Sequence, residues 1–290
     1  MPFAYLDLVD EITAPMPPMP VARLGLPPWT PLSGPLDGAT VIILSSAGVH
    51  LSGERPFDPT NDLSFRRLPQ DVDPGRLVVS HPSPIRRPGR MDVNVVHPYQ
   101  RLGELAAEGW IGGVAPYHLS MLGAIKLLVP LVSDVAPALA AAAREAGSQV
   151  VLVAPLCPAC HQTMGLLARA LEGEGLVTVS VTGARDITER VRPPRAAFLD
   201  YPLGNVVGRP HHPGEQRRIC MDVLELAERA TRPGEIVDLP YRWPETGWEN
   251  VIAERYRRDR RTVARQRQAE FDAAGRHVAA EQVAIVESLP

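Results

Sequence analysis

The chain has 290 residues, 31 of them proline, and its 30 Lys and Arg against 33 Asp and Glu leave a formal charge of -3. No basic stripe runs through its body, which excludes nucleic acid as a main partner, and no apolar run reaches the length of a bilayer span. Three cysteines, with an acidic, proline-rich start where a signal peptide would be basic and then apolar, predict a cytoplasmic protein without a disulfide framework, whose thiols are reactive, metal-binding or buried.

Residues 1–38 carry PMPPMP and LPPWTPLSGP, whose prolines deny backbone hydrogen bonds, and predict an extended arm over the body or a flexible tail. From Thr40, TVIILSSAGVH is a continuous apolar run ending at small polar residues, the pattern of a strand buried on both faces. The same phrase recurs in RLVVSHPSP, WIGGVAPYHLS, VVLVAPLCPACHQT, LVTVSVT and AAFLDYPLG. Between these lie RLGELAAEGW, SDVAPALAAAAREAG and QTMGLLARALEGEG, with apolar residues on one helical face and Gly at their ends.

Strand alternating with helix predicts an α/β fold with a mostly parallel sheet and flanking helices over 39–234, either undivided or as two Rossmann-like lobes, 39–133 and 134–234. Residues 235–290 read as a polar helical extension, in which RYRRDRRTVARQR is a solvated face or a subunit contact. In such sheets ligands bind at the carboxyl ends of strands, and the chemistry-bearing residues fall there.

VVLVAPLCPACHQTMGLLARALE reads as strand, turn and helix, with Pro158 at a first helical position, so Cys157 and Cys160 meet a helix amino terminus. Unpaired N–H groups and the helix dipole favour a thiolate there, open to solvent at a cleft, and three residues of offset let the second sulfur attack an adduct on the first. Cys157 is the expected nucleophile and Cys160 the resolving thiol. A lone C-x-x-C without a second ligand pair supports zinc poorly, so no metal is expected, and Cys220 reads as core.

His50, His81, His118 and His161 all stand at or just past predicted strand ends. His50, His118 and His161 are the candidate proton donors, because an imidazole titrates near cellular pH. Ser45, Ser46 and Gly48 form a candidate nest for a substrate carboxylate, and His81, Tyr117, Thr163 and Asp200 complete the candidate binding residues. No G-x-G-x-x-G follows a strand, so neither NAD nor flavin is expected and electrons arrive through thiols.

SSAGVH, PFDP, DLSFR, VSHP, DVNVVHPYQRLGELAAEGWIGGVAPYHLSMLG, CPACHQT and PPRAAFLDYPLGN, in this order over residues 40–225, resemble the selenoprotein B family of glycine, sarcosine, betaine and D-proline reductases, and most closely its D-proline reductase branch. The resemblance implies that Cys157 stands at the selenocysteine position and Cys160 at the resolving position. It implies reductive cleavage of a C–N or other carbon–heteroatom bond in a small amino-acid-like substrate. It further implies an external dithiol such as a thioredoxin-like donor, and a partner reductase subunit carrying a pyruvoyl group, with no cofactor bound by this chain. A homo-oligomer is expected. The residues leave three other readings open: a thioredoxin-like dithiol oxidoreductase, a cofactor-free racemase or lyase of the aspartate racemase kind, and a non-catalytic binding subunit.

Overall fold

The structure is a computed structural model and describes residues 2–13, 19–59, 61–267 and 273–288. Its strands are β1 (Thr40–Ser45), β2 (Val49–Leu51), β3 (Phe65–Pro69), β4 (Leu77–Val79), β5 (Gly113–Val114), β6 (Tyr117–Met121), β7 (Val150–Ala154), β8 (Val177–Thr182), β9 (Arg195–Asp200) and β10 (Glu235–Arg242). Its helices are α1 (Tyr5–Thr13), α2 (Arg87–Met91), α3 (Tyr99–Ala107), α4 (Leu128–Pro130), α5 (Ala136–Glu145), α6 (Pro158–Gly173), α7 (Arg185–Val191), α8 (Pro213–Leu224), α9 (Leu226–Arg229), α10 (Trp248–Arg267) and α11 (Ala273–Ser288).

Main-chain pairing orders the central sheet β10-β9-β8-β7-β1-β6-β3, with β5 also on β1. All of these pairs are parallel except β3 with β6. Because β1 pairs with both β6 and β7, a single sheet crosses the 133/134 point. Strands β1 and β7 are apolar over most of their length, and β8 alternates Val with Thr and Ser; nearly all of these residues are buried because both faces are covered. One face packs under α3, α8 and α9, and the other under α5, α6 and α7 with α1 and the ends of α10 and α11.

Three segments depart from the expected pattern. The arm begins as a helix, α1, whose Tyr5, Leu6 and Leu8 are buried: apolar spacing prevails where prolines are absent, and residues 14–18 lie outside the described residues. RLVVSHPSP contributes β4, which pairs antiparallel with β2 in a separate ribbon instead of joining the main sheet. The stretch at 235–242, read as the start of a polar helix, is the edge strand β10, since a half-exposed parallel edge needs few apolar residues. Of the basic cluster in α10, Arg257 pairs with Glu11 of α1 at 2.7 Å, and the α10 side chains of residues 259–267 lie outside the described residues. No helix among the described residues is long and apolar enough to cross a membrane.

Candidate active site

The chain leaves β1 for β6 on one side and then crosses to β7 on the other, so the topological switch point lies at the carboxyl ends of β6, β1 and β7. These three ends bring together Gly123, Ser46 and the Cys157–Cys160 pair. Cys157 is the extended N-cap of α6 and accepts the Cys160 N–H on its sulfur at 3.4 Å, while Pro158 starts the helix where no N–H is needed. The two Sγ atoms are 3.0 Å apart. The backbone therefore places a capping sulfur and a second sulfur in contact with no further adjustment.

His81 comes from the end of β4 and is tied to the β1 turn, its N–H donating to the Ala47 carbonyl and that of Ser80 to Gly48. Its Nδ1 accepts the Ser83 N–H at 3.1 Å, so the ring proton sits on Nε2, which faces Cys160 Sγ at 3.3 Å. Ser46 lends this sulfur the weakest of its hydrogen bonds, its hydroxyl also facing the Ala154 carbonyl at 3.3 Å. Burial raises the Cys160 thiol, but the donors Cys157, His81 and Ser46 outweigh it and hold the group well below its ordinary range. Cys157 moves the opposite way, raised first by the hydrogen bond it lends to Cys160 and then by burial.

Two expectations change here. The side-chain donors single out Cys160, where the helix amino terminus alone favours an anion at either sulfur. The thiols are also closed over: Cys160 is fully buried and Cys157 is 6% exposed. The cover is close-fitting, since a Cβ on Gly123 would stand 2.8 Å from Cys160 Sγ and 2.4 Å from Ser46 Cβ. Two larger cavities, of about 460 and 550 Å³, lie elsewhere, one beside Val78, Met91 and His211 and the other beside Trp29 and Arg195.

His161 donates from Nδ1 to the Cys157 carbonyl at 2.7 Å and accepts the Gly183 N–H on Nε2 at 3.2 Å. Burial pushes it down to about 4, so it is a neutral clamp on the N-cap. His118 accepts the Ile43 N–H on Nδ1 and bonds Gln70 from Nε2 at 2.6 Å, which fastens β1, β6 and β3; burial, then His97, holds it well below its ordinary value. His50 bonds the Leu51 carbonyl at 2.9 Å, and its buried Nε2 has no partner among the described residues. None of these three bonds a thiol; the histidine that does is His81, which sequence reasoning placed among the binding residues.

The carboxylate nest also dissolves in the fold. Ser46 N–H donates to the Ala154 carbonyl, Gly48 N–H to Met121 and Ser45 Oγ meets His97 Nδ1 at 2.9 Å, so these groups are spent on the protein itself. Gly48 is needed for its left-handed φ of 61° and for contact with Ser80. Tyr117 donates to the Ala142 carbonyl at 2.7 Å, Thr163 to Ala159 on its own helix at 3.3 Å, and Asp200 ends β9 with Arg242 opposite it on β10. Cys220 is buried, which pushes it up to about 12. Gly123 and His97 escaped the sequence reading; the Gly after an apolar strand in SMLG was the one local signal for the first.

The donor atoms of His81, Cys157 and Cys160 lie within 4.8 Å of one another, a soft-metal ligand set that sequence spacing did not reveal. A metal needs the lone pair on Nε2 and a proton on Nδ1, yet Nδ1 faces the Ser83 N–H. The ring is oriented as a hydrogen-bond donor to sulfur.

D-proline reductase subunit gamma from Acetoanaerobium sticklandii is 30% identical to this chain over 236 residues, 81% of this chain and 95% of the relative. The chain belongs to the D-proline reductase family. No family model matches it, and no solved structure does. The relative's name makes it one subunit of a reductase, and membership of that family gives this chain a reductase-type role. Within such a protein, two sulfurs in contact at a switch point are the chemically competent feature.

Proposed function

We propose that the protein is a thiol-dependent reductase that cleaves a C–N or C–S bond of a small amino-acid-like substrate, with Cys157 as nucleophile and Cys160 as resolving thiol. The observation that carries this reading is the 3.0 Å contact between the two Sγ atoms at the amino terminus of α6. Cys157 is the more accessible of the two and has a base beside it, which activates a thiol as a lowered pKa would. Its sulfur displaces the heteroatom from carbon, Cys160 then attacks the Cys157 sulfur, and the substrate carbon leaves with a proton. The dithiol supplies both electrons and ends as a disulfide, which an external dithiol of thioredoxin-like kind reduces.

D-proline is the first substrate to test, because it is the one in the relative's name. A pyruvoyl group on a partner subunit would activate its amine, and this chain is a cytoplasmic homo-oligomer within that assembly. Burial of the thiols requires the cover around Gly123 to part for substrate, which a partner subunit is suited to drive.

The test incubates the reduced protein, alone and with its partner subunits, with D-proline or a panel of α-substituted amino acids and a dithiol. Consumption of the dithiol with release of the reduced acid is expected, and an acid quench during turnover should trap a covalent adduct on Cys157 that Cys157→Ser lacks. Solvent deuterium exchange at the α-carbon without dithiol consumption would replace the reductase with a racemase.

A further inference from the structure

Sulfur at Cys160 is surrounded by hydrogen-bond donors from three different parts of the chain. Cys157 S–H comes from the N-cap of α6, Ser46 O–H from the end of β1, and His81 Nε2–H from the end of β4. Gly123 closes the remaining side. Ser46 Oγ accepts the Leu156 N–H at 2.8 Å and shares its proton between Cys160 and the Ala154 carbonyl at 3.3 Å, while His81 is held in place by the Ser83 N–H on Nδ1 and by Arg86 on its carbonyl. His161 lies one residue further along α6 but spends both ring nitrogens on backbone.

We infer that Ser46 and His81 are positioning residues that hold Cys160 as the ionised member of the reduced pair, so that Cys160 is the base for Cys157 before it becomes the resolving thiol. This rests on the dithiol reading above and adds the route of the proton. As Cys157 sulfur bonds to the substrate carbon and the heteroatom departs with the bonding electrons, the Cys157 proton passes to the Cys160 thiolate across the existing contact. When Cys160 sulfur next attacks Cys157 sulfur, the carbon takes the electron pair of the breaking C–S bond and the proton that Cys160 carried. The dithiol monoanion and R–X thus become the disulfide, R–H and X⁻ where X leaves as a thiolate, and for a C–N bond the amine must first be activated as an iminium so that nitrogen departs neutral; the pair itself then needs no further acid or base. This ordering explains why three sequence-favoured histidines can be locked to backbone or buried without loss: the pair carries its own proton. It also narrows the substrate, because a carbon that departs from sulfur as an anion needs a carbonyl or carboxyl group beside it.

The inference is read without any substrate by following thiolate absorbance in the ultraviolet against pH in the reduced full-length protein. Wild type should keep a thiolate below the ordinary thiol range of roughly 8.5. Cys157→Ser, whose hydroxyl still donates, should keep that signal, and Cys160→Ser should lose it. His81→Ala should move the titration up by at least about one pH unit, the size expected for a hydrogen bond to a charged group, and His81→Gln, which retains an N–H, should restore most of it. Ser46→Ala should move it in the same direction. A signal lost in Cys157→Ser and retained in Cys160→Ser would overturn the assignment, as would an unmoved titration in a folded His81→Ala. Because no turnover enters the measurement, a thiolate on Cys160 in a protein that reduces nothing would sink the reductase reading alone.

Discussion

Helix α6 carries a buried ionised group at each end, and the two ends handle it in opposite ways. At the carboxyl end, Glu172 is met by Arg195 Nη1 at 2.5 Å, by the Thr30 and Thr178 N–H groups and by the Thr178 hydroxyl, while Trp29 stacks on the guanidinium at 3.6 Å. Burial raises this carboxyl, and Arg195 with these donors opposes the rise. At the amino end the dipole already favours an anion, and Cys160 is held by Cys157, His81 and Ser46 in place of a guanidinium.

This contrast is open to direct attack. Breaking the pair at the carboxyl end should cost the most: Arg195→Met or Glu172→Gln strands the other group in the interior, at about 3–5 kcal/mol in denaturant unfolding. The double variant should recover much of it. Single variants within 1 kcal/mol of wild type would remove the distinction between the ends, taking about that size as the limit for a surface pair. Gly123→Ala at the amino end should cost about 1–3 kcal/mol through overpacking against Ser46 and Cys160, and should slow dithiol oxidation by a diffusible disulfide.

His161→Ala leaves the Gly183 N–H and the Cys157 carbonyl without a side-chain partner, for about 1–3 kcal/mol, and should leave the shape of the pH–rate profile unaltered because the ring is neutral throughout. Away from both ends, Asp92 marks an ordinary capping carboxylate. Burial would raise it, but Gln216 and the His211 and Asn94 N–H groups prevail and hold it below its usual value. Its contribution to stability is therefore present above the unfolded value of about 3.9 and is lost as pH falls through the folded one, so Asp92→Asn should flatten the acid limb of stability. Tyr117→Phe removes one hydrogen bond to Ala142, on the order of 1 kcal/mol or less in thermal unfolding, with turnover unchanged.

The strands at residues 40 and 150 could be read in the sequence because burial on both faces favours continuous apolar runs, and those at 115, 177 and 195 because short apolar stretches alternate there with helices. The thiol pair could be read because a cap followed by proline at three-residue offset is a local matter. The ribbon of β2 with β4 could not, since a three-residue strand has the same text in either partner. His81 was visible as one of four strand-end histidines, but 79 residues separate it from Cys160 and nothing local ranks it above the others.

What the chain's text determined by itself was the alternation of strand and helix, and the presence of two sulfurs at a helix start, both written in periodicity and short-range spacing. Which sulfur holds the charge was decided only by the tertiary structure. The helix dipole favours an anion at either sulfur, whereas the donors that discriminate between them arrive from β1 and β4, brought to the switch point by strand order alone.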